Sequence, residues 1–319
     1  MGASLWTYGV VMPELEPAKH RLLLLTRSRA YEGMDGVSAG CSRIRAIIKM
    51  NKLFTTMTKL IPTTQDEKQL AYYKYYETGL PEISAEKLAL AQTPQPVGRG
   101  IPFEQKDDFI LRPGNKDYCY VGFGENPDGT AYAANQTFFP GGTPEMLEWW
   151  FVWQGVGPDL RYRLWDPEDH YFSKIAEVEQ ALDESKPIRE RIWNTTHYVV
   201  EDIGLGPMPV NLHFMNPFEF GFRKDLLWRE GCESLVSIGG IPASVCHKAR
   251  KVEGGIIVDS YFWVGYVFGQ NGKICKMDTT QMPVPVIVVA KALYSHNLRE
   301  MAKLAEVLTS LYAEEGGRI

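Results

Sequence analysis

VIVVAKALYSHNLREMAKLAEVLTSLYAEE, residues Val286 to Glu315, is the stretch on which the fold turns. Val289, Leu293, His296, Glu300, Leu304, Val307 and Leu311 recur at intervals of three and four, while Arg299, Lys303, Glu306 and Ser310 fall on the opposite side. The spacing predicts one long core-facing helix that closes the chain. Two positions of its apolar side go to an imidazole and a carboxylate, His296 at the edge of the stripe and Glu300 within it. Burying such groups without partners is costly or forces them neutral. Side chains at i and i+4 project side by side, so the pair can share a proton or a metal ion. Periodicity alone does not choose between the two.

Working back from that helix, Tyr118–Phe123 and Thr130–Phe139 read as strands around the turn Asn126-Pro127-Asp128-Gly129. Thr143 as N-cap and Pro144 at the first helical position open a helix in which Met146, Leu147, Trp149, Trp150, Phe151 and Trp153 are apolar nearly all round. An apolar strand is expected at Leu160–Trp165. Further strands are expected at His197–Asp202, at Met208–Phe214 and at Gly255–Phe268, and Asn271-Gly272 marks a hairpin turn into Lys273–Gln281. A helix, a series of antiparallel strands and one long terminal helix make an α+β plan. In it a curved antiparallel sheet wraps the helix and can leave a cavity between them.

Residues 1–110 read as a separate N-terminal region with a linker, and 111–319 as the main domain. Thr64–Gln92 is helical in pattern and rich in tyrosine (Tyr72, Tyr73, Tyr75, Tyr76), which suits either a dimer surface or packing on the main domain. Pro94, Pro96, Gly98, Gly100 and Pro102 mark the linker. A net charge of −5 and the lack of any basic run argue against nucleic acid as a partner. Apolar runs such as Leu22–Leu25 are far too short to span a bilayer, and neither a signal-peptide core nor a myristoylation motif is expected at the N-terminus. Five scattered cysteines without a C-x-x-C pair argue against a disulfide framework and against a thiolate zinc site. A cytoplasmic protein is expected, in which the sequons at Asn135 and Asn194 carry no glycan.

Two further segments gather titratable groups: Asp166-Pro167-Glu168-Asp169-His170-Tyr171, and Thr195 to Asp202 with its terminal pair Glu201-Asp202. Each can be a solvated turn or a capping group as readily as a ligand source. Taken together, however, Thr143 to Trp150, Leu160-Arg161-Tyr162, Trp165-Asp166-Pro167, Asp169-His170, Thr196-His197, Glu201-Asp202 and His296-x-x-x-Glu300 occur in a telling order. Over roughly Tyr118 to Glu315 the chain resembles the 2,4-diacetylphloroglucinol hydrolase and phloretin hydrolase family.

The resemblance implies a small, mainly helical N-terminal domain used in dimerisation and a catalytic domain similar to the Bet v1 helix-grip fold. It also implies one zinc ion held by His170, Glu201, His296 and Glu300, in a homodimer acting on a small acylated phenolic compound. Glu201 is preferred to Asp202, which points to the other face if the segment is a strand. Imidazole and carboxylate suit zinc, and a zinc site with room for water lowers that water's pKa toward ~7, giving a hydroxide able to attack a ketone. The implied reaction is hydrolysis of the carbon–carbon bond between a polyhydroxylated ring and an acyl group. Tyr162 matches a family tyrosine that donates to the substrate, and Tyr266 or Tyr261 is the candidate for a second donor. Ser173 stands where the diacetylphloroglucinol hydrolase has a substrate-touching asparagine, so the ring pocket is expected to differ. His213 and His247 read as strand or surface histidines. The alternatives are a non-hydrolytic binding protein or cyclase for a phenolic ligand, and non-haem iron in place of zinc.

Overall fold

Across the turn at Asn126–Gly129, β1 (Gly122–Glu125) and β2 (Ala131–Pro140) pair antiparallel with Gly124 opposite Tyr132. The turn closes because Asn126 N–H donates to the Thr130 carbonyl at 2.8 Å and Asp128 accepts from the Thr130 N–H at 3.1 Å. Gly129 supplies the left-handed residue, φ +81°. This is a computed structural model, and it describes residues 59–317 and 319. The readings made for the first 58 residues lie outside the described residues.

Six more strands complete the sheet: β3 (His170–Ile175), β4 (Thr195–Glu201), β5 (Met208–Met215), β6 (Ser234–Gly239), β7 (Ala243–Val252) and β8 (Gly255–Val264). All neighbours are antiparallel, in the order β1-β2-β8-β7-β6-β5-β4-β3. The expected strand from Gly255 to Phe268 breaks at Gly265, φ +95°, and resumes as β9 (Tyr266–Phe268), which pairs with β10 (Ile274–Lys276) across the Asn271-Gly272 turn. Only that short piece of Lys273–Gln281 is strand.

Seven short helices and two longer ones, among the described residues, dress the sheet. They are α1 (Tyr73–Glu77), α2 (Ala85–Leu90), α3 (Asp108–Leu111), α4 (Pro144–Trp153), α5 (Leu160–Arg163), α6 (Val178–Ala181), α7 (Ile188–Arg191), α8 (Pro217–Phe220) and α9 (Val286–Glu315). The Thr143 side chain caps α4 by accepting from the Met146 N–H, as its sequence predicts. The thirty-residue α9 packs along β1, β2 and β8 and against α4. This is the helix-grip arrangement expected from the sequence: an antiparallel sheet around a long terminal helix.

Two expectations are corrected. Leu160–Trp165 is not a strand but the helix α5 and its end, with the Leu164 N–H bonded to the Leu160 carbonyl at 3.1 Å. Leu160, Tyr162 and Leu164 alternate, but so short an apolar run does not separate strand from helix. Lys303 is not on an exposed side of α9 but fully buried, its Nζ donating to Thr78 Oγ1 at 2.6 Å and to Glu306 Oε1 at 3.1 Å. The reason is that the segment around α1 and α2 covers a second side of α9. Lys74 pairs with Glu314 at 2.7 Å, and Tyr294 of α9 donates to the Lys87 carbonyl.

The core has two parts, one on each face of the sheet. Inside, between sheet and helices, lie Ala131, Ala133, Val258, Phe262, Leu304, Leu311 and the tryptophans of α4. Trp149, Trp153, Trp150 and Trp165 form a chain in that order, with successive ring centroids 5.1, 5.8 and 6.1 Å apart. Tyr72 joins this group edge-on to Trp153 at 5.1 Å, and Tyr76 is also buried. The outer face carries Tyr132, Leu235, Cys246, Tyr261 and Trp263, covered by Ile101, Phe109, Phe220 and Leu227.

Candidate metal centre

The antiparallel register of β3 and β4 sets His170 opposite Glu201, and a bulge between His170 and Phe172 re-aims the imidazole. Asp166 shapes the turn before it: one carboxylate oxygen accepts from the N–H groups of Glu168 and Asp169, each at 3.1 Å, and its carbonyl accepts from His170 N–H at 3.0 Å. From the other side, α9 delivers His296 and Glu300 one turn apart. His170 Nε2 and His296 Nε2 approach to 3.0 Å. Glu300 Oε2 is 3.6 Å from each of them, and Glu201 Oε2 is 3.9 Å from His170 Nε2. His170, His296 and Glu300 thus come together in one buried cluster, with Glu201 beside His170.

The tautomers decide what this convergence means. His170 Nδ1 lies 3.2 Å from the Tyr162 carbonyl, which can only accept, so Nδ1 carries the proton and Nε2 presents a lone pair. That lone pair faces a second imidazole and two carboxylates, the donor types that hold zinc. Tetrahedral zinc bonds of ~2.0–2.1 Å would separate neighbouring ligand atoms by about 3.3 Å, within the spread of separations seen here. The residues therefore fit zinc.

A second cluster, Asp166, Asp169 and His296, has similar spacing. It already holds a cation: Arg299 donates to Asp166 Oδ2 at 2.7 and 3.1 Å and pairs with Asp169 as well. These carboxylates sit 4.0 and 3.9 Å from His296 Nδ1, which has no hydrogen-bond partner among the described residues. The guanidinium leaves the first cluster as the place for a metal.

Burial, together with the neighbouring His296, pushes His170 down to about 3, so this imidazole stays neutral, the form that binds a metal. Burial would lower His296 too, but Glu300, Glu201 and Asp166 outweigh it and raise the ring above its ordinary value. Burial lifts Glu300 to about 7. Opposed shifts on adjacent groups describe one tightly coupled unit rather than two independent acids.

Tyr162 is brought to this centre. Its ring stacks on His170 with centroids 4.0 Å apart, and its hydroxyl donates to Glu201 Oε2. Burial first, then Glu201, holds that phenol well above its ordinary pKa. Ser173 is buried on β3 opposite Val199, with Oγ 3.4 Å from Gln154 Oε1, and Gln154 in turn bonds His197 Nδ1 at 3.2 Å. Tyr261 and Tyr266 are not brought there. Their side chains join the outer cluster, where Tyr261 accepts from Ile101 N–H at 2.6 Å and Tyr266 donates to Glu104 at 3.0 Å. Strand parity is the cause for Tyr261, since Phe262 faces inward; Tyr266 would share the inward face of Phe262 and Val264, but it follows the break at Gly265 and joins the outer face. His247 is a strand histidine, buried against Phe151 and bonded to Ser260 Oγ at 2.9 Å, and half-buried His213 stacks on Phe268. Arg299 reads as a residue of the polar side of the helix and Asn297 carries no signal in the sequence, although both lie between His296 and Glu300.

The family model for the DAPG hydrolase PhiG domain matches residues 101–313. Phloretin hydrolase of Eubacterium ramulus is 40% identical over 255 residues, 79% of this chain and 92% of that protein. A 2,4-diacetylphloroglucinol hydrolase of a Pseudomonas species is 26% identical over 268 residues, covering 77% and 88% respectively. Among solved structures, the crystal structure of Ara h 8.0201 aligns at TM-score 0.33 and 10% identity, covering 57% of this chain and 99% of that one. With most of its length matched at such identity, and the expected donor set assembled, the chain belongs to the DAPG hydrolase PhiG domain family of hydrolases.

Proposed function

We propose that this protein is a zinc-dependent hydrolase that cleaves the carbon–carbon bond between a polyhydroxylated aromatic ring and an acyl group, and that it works as a homodimer. The observation that carries the reading is the pair of imidazole Nε2 atoms 3.0 Å apart with the Glu300 carboxylate 3.6 Å from both. The relatives named for phloretin and for 2,4-diacetylphloroglucinol support an acylated phenol as substrate.

His170, Glu201, His296 and Glu300 would hold the metal. Zinc, when bound, supplies a Lewis acid that polarises a carbonyl and brings a water molecule's pKa toward ~7. The net reaction adds water across the bond: oxygen joins the acyl carbon, the bonding pair stays with the ring carbon, and that carbon takes a proton. Flanking phenols permit a keto tautomer that spreads the developing charge. Tyr162 keeps its proton at neutral pH; that proton goes to Glu201 Oε2 here, and with Glu201 turned to the metal it would be freed to donate to a phenolic or carbonyl oxygen of the substrate. Trp165, edge-on to His170 at 5.4 Å, walls the centre from bulk water. Ser173 offers a short hydroxyl where asparagine would reach further, leaving more room for the ring or its acyl arm.

Cys119, Cys232, Cys246 and Cys275 are free thiols, in keeping with a reducing cytoplasm. No described helix is long and apolar enough to cross a membrane. For the assembly, residues 1–110 are the proposed dimerisation region, and light scattering should give twice the chain mass; a monomer would refute it. For the chemistry, elemental analysis of the purified protein should find about one zinc per chain. Chelation should abolish turnover of phloretin and acylphloroglucinols, and zinc should restore it. Undiminished activity in metal-free protein would overturn the mechanism, and iron in place of zinc would reassign the metal.

A further inference from the structure

Glu300 is held by a line of hydrogen bonds that begins far away in sequence. Asn297 Nδ2 donates to Glu300 Oε1 at 2.7 Å, and Asn135 Nδ2 donates to Asn297 Oδ1 at 3.0 Å. Lys87 Nζ, from α2, donates to Asn135 Oδ1 at 3.0 Å and to the Gln136 carbonyl at 2.5 Å. Asn135 and Asn297 are at most 1% exposed, and Glu300 is 5% exposed. The line therefore runs through protein rather than water. Its near end leaves Glu300 Oε2 as the oxygen that faces both imidazoles.

The direction of the line is the informative part. A carboxamide can present either its oxygen or its NH2, and two amides in contact can reverse together. An ammonium can only donate. With Lys87 at one end, Asn135 must turn its oxygen outward and its NH2 toward Asn297, and Asn297 must then turn its NH2 toward Glu300. The Glu300 carboxylate, able only to accept, favours the same direction from the other end, and the lysine's donation locks both amides in it. Lys87 itself is fixed by its backbone: its carbonyl accepts from the hydroxyl of Tyr294 on α9, one turn before Asn297.

We infer that Lys87 is a positioning residue for the metal centre, setting through Asn135 and Asn297 the carboxylate face that Glu300 offers the metal. The inference rests on the zinc reading above and extends it to the segment before the family-matched region, which completes the ligand environment from outside. Loss of such outer partners characteristically weakens metal binding by about 10–100-fold.

The test measures zinc affinity by chelator competition, together with the visible spectrum of the cobalt-substituted protein, in wild type and in Lys87→Met. The expected result is about 10–100-fold weaker zinc and an altered cobalt spectrum, with the metal-free protein still melting in one cooperative transition. Lys87→Arg, which keeps the charge and the donors, should recover most of the affinity. Asn297→Leu should resemble Lys87→Met, and the double variant should be no worse than Asn297→Leu alone, because both interrupt one path. If Lys87→Met does not fold, Lys87→Gln takes its place in the same comparison. Affinity within about twofold of wild type in the folded variant, or fully additive losses in the double variant, would overturn the inference while leaving the zinc reading intact. A wild-type protein that binds no zinc would overturn both.

Discussion

On the outer face of the sheet, polar groups on β8 and β9 have settled partners: Tyr261 takes the Ile101 N–H, Trp263 donates to the Ile101 carbonyl at 2.9 Å, and Tyr266 reaches Glu104. On the inner face the accounts stay open. His296 Nδ1, His197 Nε2 and the indole nitrogens of Trp150, Trp153 and Trp165 are buried without a hydrogen-bond partner among the described residues. Native proteins satisfy most buried polar groups, so these open ones set the inner face apart from the hydrogen-bonded β8 and β9 residues. The difference teaches how to read these three tyrosines: Tyr261 and Tyr266 on the outer face hold a covering segment in place, and Tyr162 alone stands beside the His170–Glu300 cluster.

The largest effect should come from the ligands. His296→Ala or Glu300→Ala should lose zinc in elemental analysis and reduce turnover by well more than the about 10–100-fold expected of outer partners. Retained turnover in either would erase the contrast between the faces. Tyr162→Phe should lower kcat by about 100-fold with zinc retained, the scale of losing one aimed donor. Ser173→Asn should follow, shifting the kcat/KM preference between short and bulky acyl arms by about tenfold toward the short ones. Tyr261→Phe should leave kcat unchanged and cost about 1–3 kcal/mol in denaturant unfolding, since Ile101 N–H would lose its partner. A fall in kcat there would break the assignment of the outer face.

Acid should probe the inner face as a whole. Burial holds His170, His197 and His247 at about 3 against an ordinary 6.5, so their stabilising contribution is present above 6.5 and is lost as pH falls. Glu148 and Glu300, raised by burial from 4.5 to about 7, work the other way: their contribution is present below 4.5 and lost as pH rises to about 7. Between 6.5 and 4.5 the three histidines outweigh the two carboxylates, and below 4.5 they are joined by carboxylates such as Asp128 and Glu145, which the fold holds below their ordinary values. The melting temperature of metal-free protein should therefore fall on acidification and fall more steeply below about pH 4.5. Glu300→Gln should steepen the upper part of that curve.

Much of this was legible in the chain. The Asn126–Gly129 turn, the Thr143-Pro144 helix start and the His296–Glu300 spacing carry their own local chemistry, and each appears where that chemistry puts it. The family motifs pointed to His170 and Glu201, which the β3–β4 register then brings opposite each other. What stayed hidden depends on contacts between distant segments. Lys303 reads as solvent-facing until the α1–α2 segment is laid over it, and Asn135 reads as a glycosylation sequon until its side chain is seen bonded to Asn297. Tyr261 and Tyr266 differ from Tyr162 only in the face they occupy, and residue type does not reveal a face.

The tryptophan chain of the inner core gives the protein an optical property. Light absorbed by Trp149, Trp150 or Trp153 can pass by dipole coupling between rings to Trp165, whose indole lies 5.4 Å from His170. An open-shell ion such as cobalt(II) seated at that imidazole would quench the excited indole at this short range, whereas zinc, with filled d orbitals, would not. Emission from the wild-type chain, without any attached dye, would then report cobalt displacing zinc in real time.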